Sequence, residues 1–127
     1  MNGTDMPDYL LDTNAVIYFF NGEEKISKLI NETKGKINIS FITKIELLCF
    51  EADDAVVKEI AEFVKEIEVV LINDEIITKT IDYRKNLKLK VPDAIIAATA
   101  NVRELILVTA DRSLAQKVKE LTIISPI

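Results

Sequence analysis

The stretch YLLDTNAVIYFFN, residues 9–21, places a short apolar run, a carboxylate and a helical pattern in immediate succession. Residues 9–11 predict a buried strand that ends at Asp12. Asp12 or Thr13 can cap a helix over about residues 14–21. A buried strand that leads directly into a helix indicates a sheet covered by helices.

The same alternation of strand and helix continues along the chain. The predicted strands are residues 37–40, 68–72, 104–110 and 122–125, and the predicted helices are about 23–33, 42–50, 53–67, 74–88, 94–100 and 113–120. Several strands are continuous apolar runs, which is typical of a parallel sheet buried on both faces. We therefore predict one α/β domain over residues 1–127, an α/β/α sandwich with a central, mainly parallel sheet.

The composition restricts the chemistry that this chain can perform. Its formal net charge of −5 argues against a protein that holds nucleic acid by bulk electrostatics, although bound metal ions would change the local field. The chain has no histidine, which excludes serine–histidine and cysteine–histidine nucleophilic systems and histidine metal ligands. Acid–base chemistry must then use carboxylates, lysine, tyrosine or metal-bound water.

Two further expectations follow from composition. The single cysteine, Cys49, lies in an apolar helical pattern and is expected to be a small buried hydrophobe in a reducing compartment. The first residues, MNGTDMPD, lack the basic region of a signal peptide, and no stretch approaches the roughly 20 apolar residues that cross a bilayer. We expect a soluble, cytoplasmic protein without a membrane segment.

Four acidic residues interrupt segments that otherwise have the composition of a core. Asp12 ends the first strand, Glu46 lies within FITKIELLCF, Asp93 opens the run DAIIAATA, and Asp111 follows LILVTA. Each is expected to lie close to the buried interior, where an unpaired carboxylate costs several kcal/mol. Asp12 and Asp111 follow strands, and ligands of α/β proteins bind beyond the carboxyl ends of strands.

Each acid also has a structural alternative. Asp12 and Asp111 can cap the helices that follow them, and Asp93 gains about 0.3–1 kcal/mol in a first helical turn. Glu46 lies in mid-helix among apolar neighbours, where neither a cap nor the helix dipole accounts for it. It either has a function, reaches solvent from a half-covered helix, or pairs with Lys44 or another base.

Convergence of these acids would favour a divalent cation. Two carboxylates about 4 Å apart repel by roughly 4 kcal/mol at an effective dielectric constant near 20. Oxygen ligands without histidine or thiolate suit Mg²⁺ or Mn²⁺, and such sites serve phosphoryl chemistry.

In this order and at these separations, the motifs DTNAVI, TKIELL, PDAIIAATA and LVTAD resemble the PIN domain family, in particular the toxin subunits of VapBC toxin–antitoxin pairs. The resemblance covers about residues 9–124. It implies a metal-dependent ribonuclease with a central parallel sheet and an acidic pocket. The matching acids are Asp12, Glu46, Asp93 and Asp111, and the matching polar residues are Thr13, Asn14 and Thr109.

The resemblance also implies a mechanism and partners. An RNA phosphodiester would be hydrolysed by metal-activated water with one or two Mg²⁺ or Mn²⁺ ions, leaving 5′-phosphate and 3′-hydroxyl ends. Asp12 and Asp93 would be the leading metal ligands, whereas Glu46 and Asp111 would hold a second ion, orient the water or ligate through water. Asp111 is the looser match, since family members carry Asp or Asn there. The implied partners are RNA, a second copy in a cytoplasmic homodimer, and an antitoxin whose segment covers the groove.

A basic segment precedes the third acid. YRKNLKLKVPD carries Arg84, Lys85, Lys88 and Lys90 with no acid between them and Asp93. These cations are either contacts to RNA phosphates or a solvated helix end favoured by the helix dipole.

Other functions remain open at this point. A receiver-type signalling domain also has an acidic Mg²⁺ pocket, but it would need paired acids near the first strand and a lysine that ends the last core strand. A haloacid-dehalogenase-like phosphatase would need a second aspartate where Asn14 stands. A PIN nuclease of RNA processing without an antitoxin, or a non-catalytic relative that binds RNA or protein, would keep the same acids.

Overall fold

The computed structural model describes residues 7–127, and in that part of the chain five strands alternate with seven helices. The strands are β1 (Tyr9–Leu11), β2 (Ile37–Ser40), β3 (Glu68–Val70), β4 (Ile106–Val108) and β5 (Ile123–Ile124). The helices are α1 (Thr13–Phe20), α2 (Glu24–Glu32), α3 (Phe41–Leu48), α4 (Asp54–Glu66), α5 (Asp74–Leu87), α6 (Val91–Val102) and α7 (Arg112–Lys117).

The strands form one sheet in the order β3-β2-β1-β4-β5, and every pair is parallel. The predicted α/β sandwich with a mainly parallel sheet is confirmed. The strand order runs outward from β1 to β3 on one side and from β4 to β5 on the other. At such a switch point a crevice opens beyond the carboxyl ends of the strands. Asp12 directly follows β1, and Asp111 lies just beyond β4.

Helices cover both faces of the sheet because consecutive strand residues point to opposite sides. Leu10 and Leu107 belong to a core cluster with α5, α6 and α7, whereas Leu11 and Val108 belong to a second cluster with α1 to α4. All four are fully buried. Burial on both faces explains why β1 (YLL) and β4 (ILV) have no alternating polar positions.

Helix α3 corrects the expectation about Cys49. It buries Thr43 and Leu47, whereas Ile45 is 54% exposed and Cys49 is exposed. The prediction of a buried Cys49 is therefore wrong. The helix covers the sheet mainly with Thr43 and Leu47, and Ile42 is half-buried against the core, whereas Ile45 and Leu48 lie on its outer side.

The pattern of the helix at 74–88 predicts that Ile77, Ile81 and Tyr83 face inward, and α5 is rotated relative to that expectation. Tyr83 is buried as predicted, but Ile77 and Ile81 are 42% and 53% exposed, and Ile76 occupies the core position. The assignment of Ile77 and Ile81 to the interior is wrong, because the stripe that contacts α6 contains Ile76 and Tyr83, two turns apart on one face.

Three strands are shorter than predicted. β3 ends at Val70, and Leu71 beyond it is 71% exposed. β4 begins only at Ile106, since the chain turns through Glu104, which has a left-handed φ of 54°. β5 keeps only two of the four predicted residues.

Within residues 7–127, the helices are all too short or too polar to span a membrane.

Candidate functional site

A cavity of about 340 Å³ lies at the switch point between β1 and β4. The four acids singled out in the sequence, Asp12, Glu46, Asp93 and Asp111, all line it. The other lining residues are Thr13, Asn14, Ile17, Phe50, Pro92 and Ile96. The acids come from four separate elements, namely the end of β1, α3, the first turn of α6 and the start of α7. The fold thus brings them together, while their function as ligands stays a prediction.

Asp12 caps a helix and also lines the cavity. It precedes α1 as the N-cap, and its Oδ1 accepts a hydrogen bond from the backbone N–H of Thr13 at 2.8 Å. Its Oδ2 accepts a hydrogen bond from the hydroxyl of Thr109 at 2.7 Å. Burial raises the pKa of Asp12, the bonds from Thr109 and Thr13 oppose that rise, and the charges of Asp93 and Glu46 add to it.

Asn14 and Thr109 join the first helix to the end of β4. The amide of Asn14 lies 3.3 Å from both Asp12 Oδ2 and Thr109 Oγ1, and its Oδ1 accepts from the N–H of Ala110 at 3.0 Å. The hydroxyl of Thr109, which is buried, also accepts from the N–H of Asp111 at 3.1 Å. This network fixes the orientation of Asp12, which is the supporting position expected for Asn14 and Thr109.

Glu46 lies on an exposed position of α3, so the expectation that it sits close to the buried interior is wrong. Its carboxylate is nevertheless held at the cavity, because the Thr13 hydroxyl donates to Glu46 Oε1 at 2.5 Å. The same hydroxyl lies 3.2 Å from that of Thr43, which is fully buried. Sequence reasoning missed Thr43, although its place three residues before Glu46 on one helix face was the available signal.

Asp93 and Asp111 are the other two acids that line the cavity. Asp93 lies in the first turn of α6 after Pro92, and Asp111 is the N-cap of α7, accepting from the N–H of Leu114 at 3.1 Å. Burial raises the pKa of Asp93, and the charges of Asp111 and Glu46 raise it further, against the opposing charges of Lys90 and Lys117. The capping alternative for Asp111 is therefore correct, and it coexists with a place in the cavity.

The donor set fits Mg²⁺ or Mn²⁺. The lining residues include four carboxylates and, within residues 7–127, no lysine or arginine. Across those same residues, no group of three acidic or thiol side chains is arranged to hold an ion directly. Mg²⁺ keeps several waters and is commonly bound by one or two carboxylates plus substrate phosphates. The arrangement therefore suits an ion with one or two direct protein ligands and further carboxylates that act through water.

The four basic residues before Asp93 differ in their surroundings. The guanidinium of Arg84 donates to the backbone carbonyl of Leu89 at 2.7 Å, which ties the end of α5 to the following loop. Lys85, Lys88 and Lys90 are exposed. Arg84 is thus already engaged in a structural contact, whereas the three lysines face solvent near the start of α6.

The model of the PIN domain family matches residues 9–120. Among solved structures, a toxin–antitoxin complex from Klebsiella pneumoniae is 25% identical with a TM-score of 0.80, covering 94% of this chain and 98% of that chain. VapBC-1 from nontypeable Haemophilus influenzae is 22% identical with a TM-score of 0.79, covering 94% and 98%. DNA-bound VapBC from Salmonella typhimurium is 23% identical with a TM-score of 0.82, covering 96% and 100%. No curated protein matches the chain.

Proposed function

The chain belongs to the PIN domain family, and from that premise we propose that it is a metal-dependent endoribonuclease, the toxin of a toxin–antitoxin pair. The observation that carries the proposal is the convergence of four carboxylates on one cavity whose described lining has no lysine or arginine. Mutual repulsion among those acids is relieved by a divalent cation. We take the whole chain, residues 1–127, as the functional domain.

Each acid has a distinct role in the proposed reaction. Asp12, fixed by Thr109 and Asn14, and Asp93, in the first turn of α6, would hold Mg²⁺ or Mn²⁺. When bound, the ion would activate water and stabilise charge on the phosphate oxygens. Glu46, held at the cavity by Thr13, would orient the attacking water, and Asp111 would act through water or at a second ion.

Exposed lysines supply the electrostatic attraction that the acidic chain as a whole lacks. The net charge is −5, yet Lys85, Lys88 and Lys90 are all exposed and lie within the eight residues before Asp93. Cations beside the cavity would hold the RNA backbone in register without reading its sequence. Arg84 contributes less, since its guanidinium already donates to Leu89.

An antitoxin is the proposed protein partner. Several of the similar solved structures are complexes of a toxin with its antitoxin. Beside the cavity, Ile45, Leu48 and Phe50 expose apolar surface, which an antitoxin segment that covers the groove would bury. The exposed Ile77 and Ile81 of α5 would provide a self-complementary contact for a homodimer. We place the complex in the cytoplasm.

Cleavage of RNA by the purified protein tests the proposal. Single-stranded RNA should be cut in Mg²⁺ or Mn²⁺ and left intact with EDTA, and Asp12→Ala and Asp93→Ala should each lower the rate about 10³-fold. Asp54→Ala is the matched control, since Asp54 also lies in a first helical turn, that of α4, but away from the cavity. Metal-independent cleavage, or an active Asp93→Ala protein, would sink the mechanism.

The toxin role has a separate test. Expression of the chain should arrest growth, and co-expression of a small protein from the neighbouring gene should restore growth and co-purify with it. Cleavage of RNA without growth arrest or a co-purifying partner would instead indicate an RNA-processing nuclease.

A further inference from the structure

A second cavity, of about 350 Å³, lies between α5 and the chain segment that follows α7. Its lining residues on α5 are Lys79, Asp82, Tyr83, Asn86 and Leu87, and those on the other side are Lys117, the last residue of α7, and Val118, Lys119 and Glu120 after it. Three lysines and two acids in this cleft give it a local charge opposite in sign to that of the chain.

The two acids of the cleft share one lysine. Lys79 Nζ lies 3.0 Å from Glu120 Oε1 and 3.2 Å from Asp82 Oδ2. The buried hydroxyl of Tyr83 also donates to Glu120, and the amide of Asn86 donates to Asp82. These contacts give each carboxylate hydrogen-bond partners, but the single charge of Lys79 offsets only one of the two, so the net positive charge of the cleft comes from Lys117 and Lys119.

Lys117 and Lys119 remain as its available cations. Both are exposed, and neither forms an ion pair with any residue between 7 and 127. Helix α7 connects the cleft to the acidic cavity, because Asp111 at its N-cap lines the cavity and Lys117, its last residue, lines the cleft. Because a helix rises about 1.5 Å per residue, Lys117 lies roughly 9 Å along the axis of α7 from Asp111, so an anion in the cleft would lie near the acidic cavity.

We propose that the cleft lined by Lys117 and Lys119 is a phosphate subsite that binds the RNA backbone next to the bond to be cleaved. The proposal rests on the proposed function and deepens it. The three lysines before Asp93 and the two lysines of the cleft then act on the same strand. Backbone contacts of this kind position a nucleic acid and make its affinity depend on salt.

RNA binding to a protein that cannot cleave isolates the subsite from the chemistry. A fluorescent single-stranded RNA is titrated with Asp93→Asn protein, alone and combined with Lys117→Ala or Lys119→Ala, at several salt concentrations. Each lysine variant should weaken binding severalfold and lower the slope of log affinity against log salt by about 0.7. Lys28→Ala, an exposed lysine on α2 across the sheet, is the control and should change neither quantity.

The outcomes separate the subsite from the nuclease. If wild-type protein cleaves the RNA but the lysine variants bind it as tightly as the Asp93→Asn protein does, the subsite alone is overturned. Unchanged RNA binding together with weakened binding of a polyglutamate peptide would identify the cleft as a protein-docking site. That result would also overturn the phosphate subsite. Wild-type protein that neither binds nor cleaves the RNA overturns both proposals.

Discussion

Asp12 shows how one side chain serves the fold and a candidate site together. One oxygen caps α1 through Thr13, and the other accepts from Thr109 while facing the cavity. From sequence, cap and ligand were alternatives, since an aspartate between a strand and a helix satisfies both descriptions. Its two oxygens point to different partners, so the alternatives do not exclude each other.

Asp111 is a cap in the same way, which leads to a graded prediction. Asparagine caps helices as well as aspartate does, so Asp111→Asn keeps the bond to the N–H of Leu114 and removes only the charge. We expect Asp111→Asn to slow RNA cleavage about 10–100-fold, the scale for a group that acts through another ligand. Asp93→Asn should slow cleavage about 10³-fold.

Single-turnover cleavage at saturating Mg²⁺ measures both variants on one RNA. Their thermal melting serves as the folding control. A loss in Asp111→Asn as large as that in Asp93→Asn would show that Asp111 is a direct ligand, contrary to the role assigned to it.

At the scale of the element, the sequence predicted which segments are helices better than it predicted which way they face. Helix α3 was identified, but its outer residues Ile45 and Cys49 are exposed. Apolar residues occupy more than one stripe of α3 and of α5, so periodicity alone does not select the buried stripe. Packing against the sheet selects it, and that information lies in other parts of the chain. The network of Thr13, Thr43 and Glu46 was missed for the same reason.

Near the C-terminal end of α5, substitution of two neighbouring lysines by glycine is predicted to change the free energy of unfolding in opposite directions. Lys88 is the C-cap of α5 in the left-handed conformation, with φ 58°, where a side chain costs roughly 1 kcal/mol that glycine avoids. Lys85 lies within the last turn of the helix, where glycine costs roughly 1 kcal/mol. Lys88→Gly should therefore raise the free energy of unfolding, and Lys85→Gly should lower it.

Urea denaturation of the two variants tests this directly, and each change removes one positive charge, so the electrostatic effect is matched. Destabilisation of the protein by Lys88→Gly would show that the lysine side chain makes a contact that outweighs its backbone strain.

At the scale of the whole molecule, the fold concentrates like charge at the carboxyl end of the sheet. The pKa of Asp12 and the pKa of Asp93 are both raised, by burial first and by neighbouring acids as well. The four acids were predictable because each stood in an apolar context, but their convergence depends on strand order, which brings β1 beside β4. The lysine cleft could not be predicted, since α5 and the segment after α7 are far apart in sequence.

The raised pKa values determine how stability depends on pH in the metal-free protein. Between the ordinary aspartate pKa of 3.8 and the raised value, the folded chain binds more protons than the unfolded chain. The free energy of unfolding therefore falls as pH rises through that window, and the deficit persists at neutral pH. Asp93→Asn removes the contribution of one carboxylate to this deficit.

We expect metal-free Asp93→Asn protein to have a higher melting temperature than wild type at pH 7. The difference should shrink toward zero as pH falls below 3.8, because the protonated carboxyl group of Asp93 is then uncharged, like the amide of the variant. Mg²⁺ should raise the melting temperature of wild type more than that of Asp93→Asn. An ion stabilises the folded state only by binding to it, and the variant lacks one of the proposed metal ligands. Asp54→Asn is the matched control, since that exposed acid also lies in a first helical turn, that of α4, but away from the cavity, and this variant should not melt above wild type. The melting temperatures of wild type, Asp93→Asn and Asp54→Asn are measured in EDTA across this pH range and then in Mg²⁺ at pH 7. A wild type that melts above Asp93→Asn at pH 7 in EDTA would mean that Asp93 stabilises the metal-free fold, and that the acidic cavity needs no cation to relieve it.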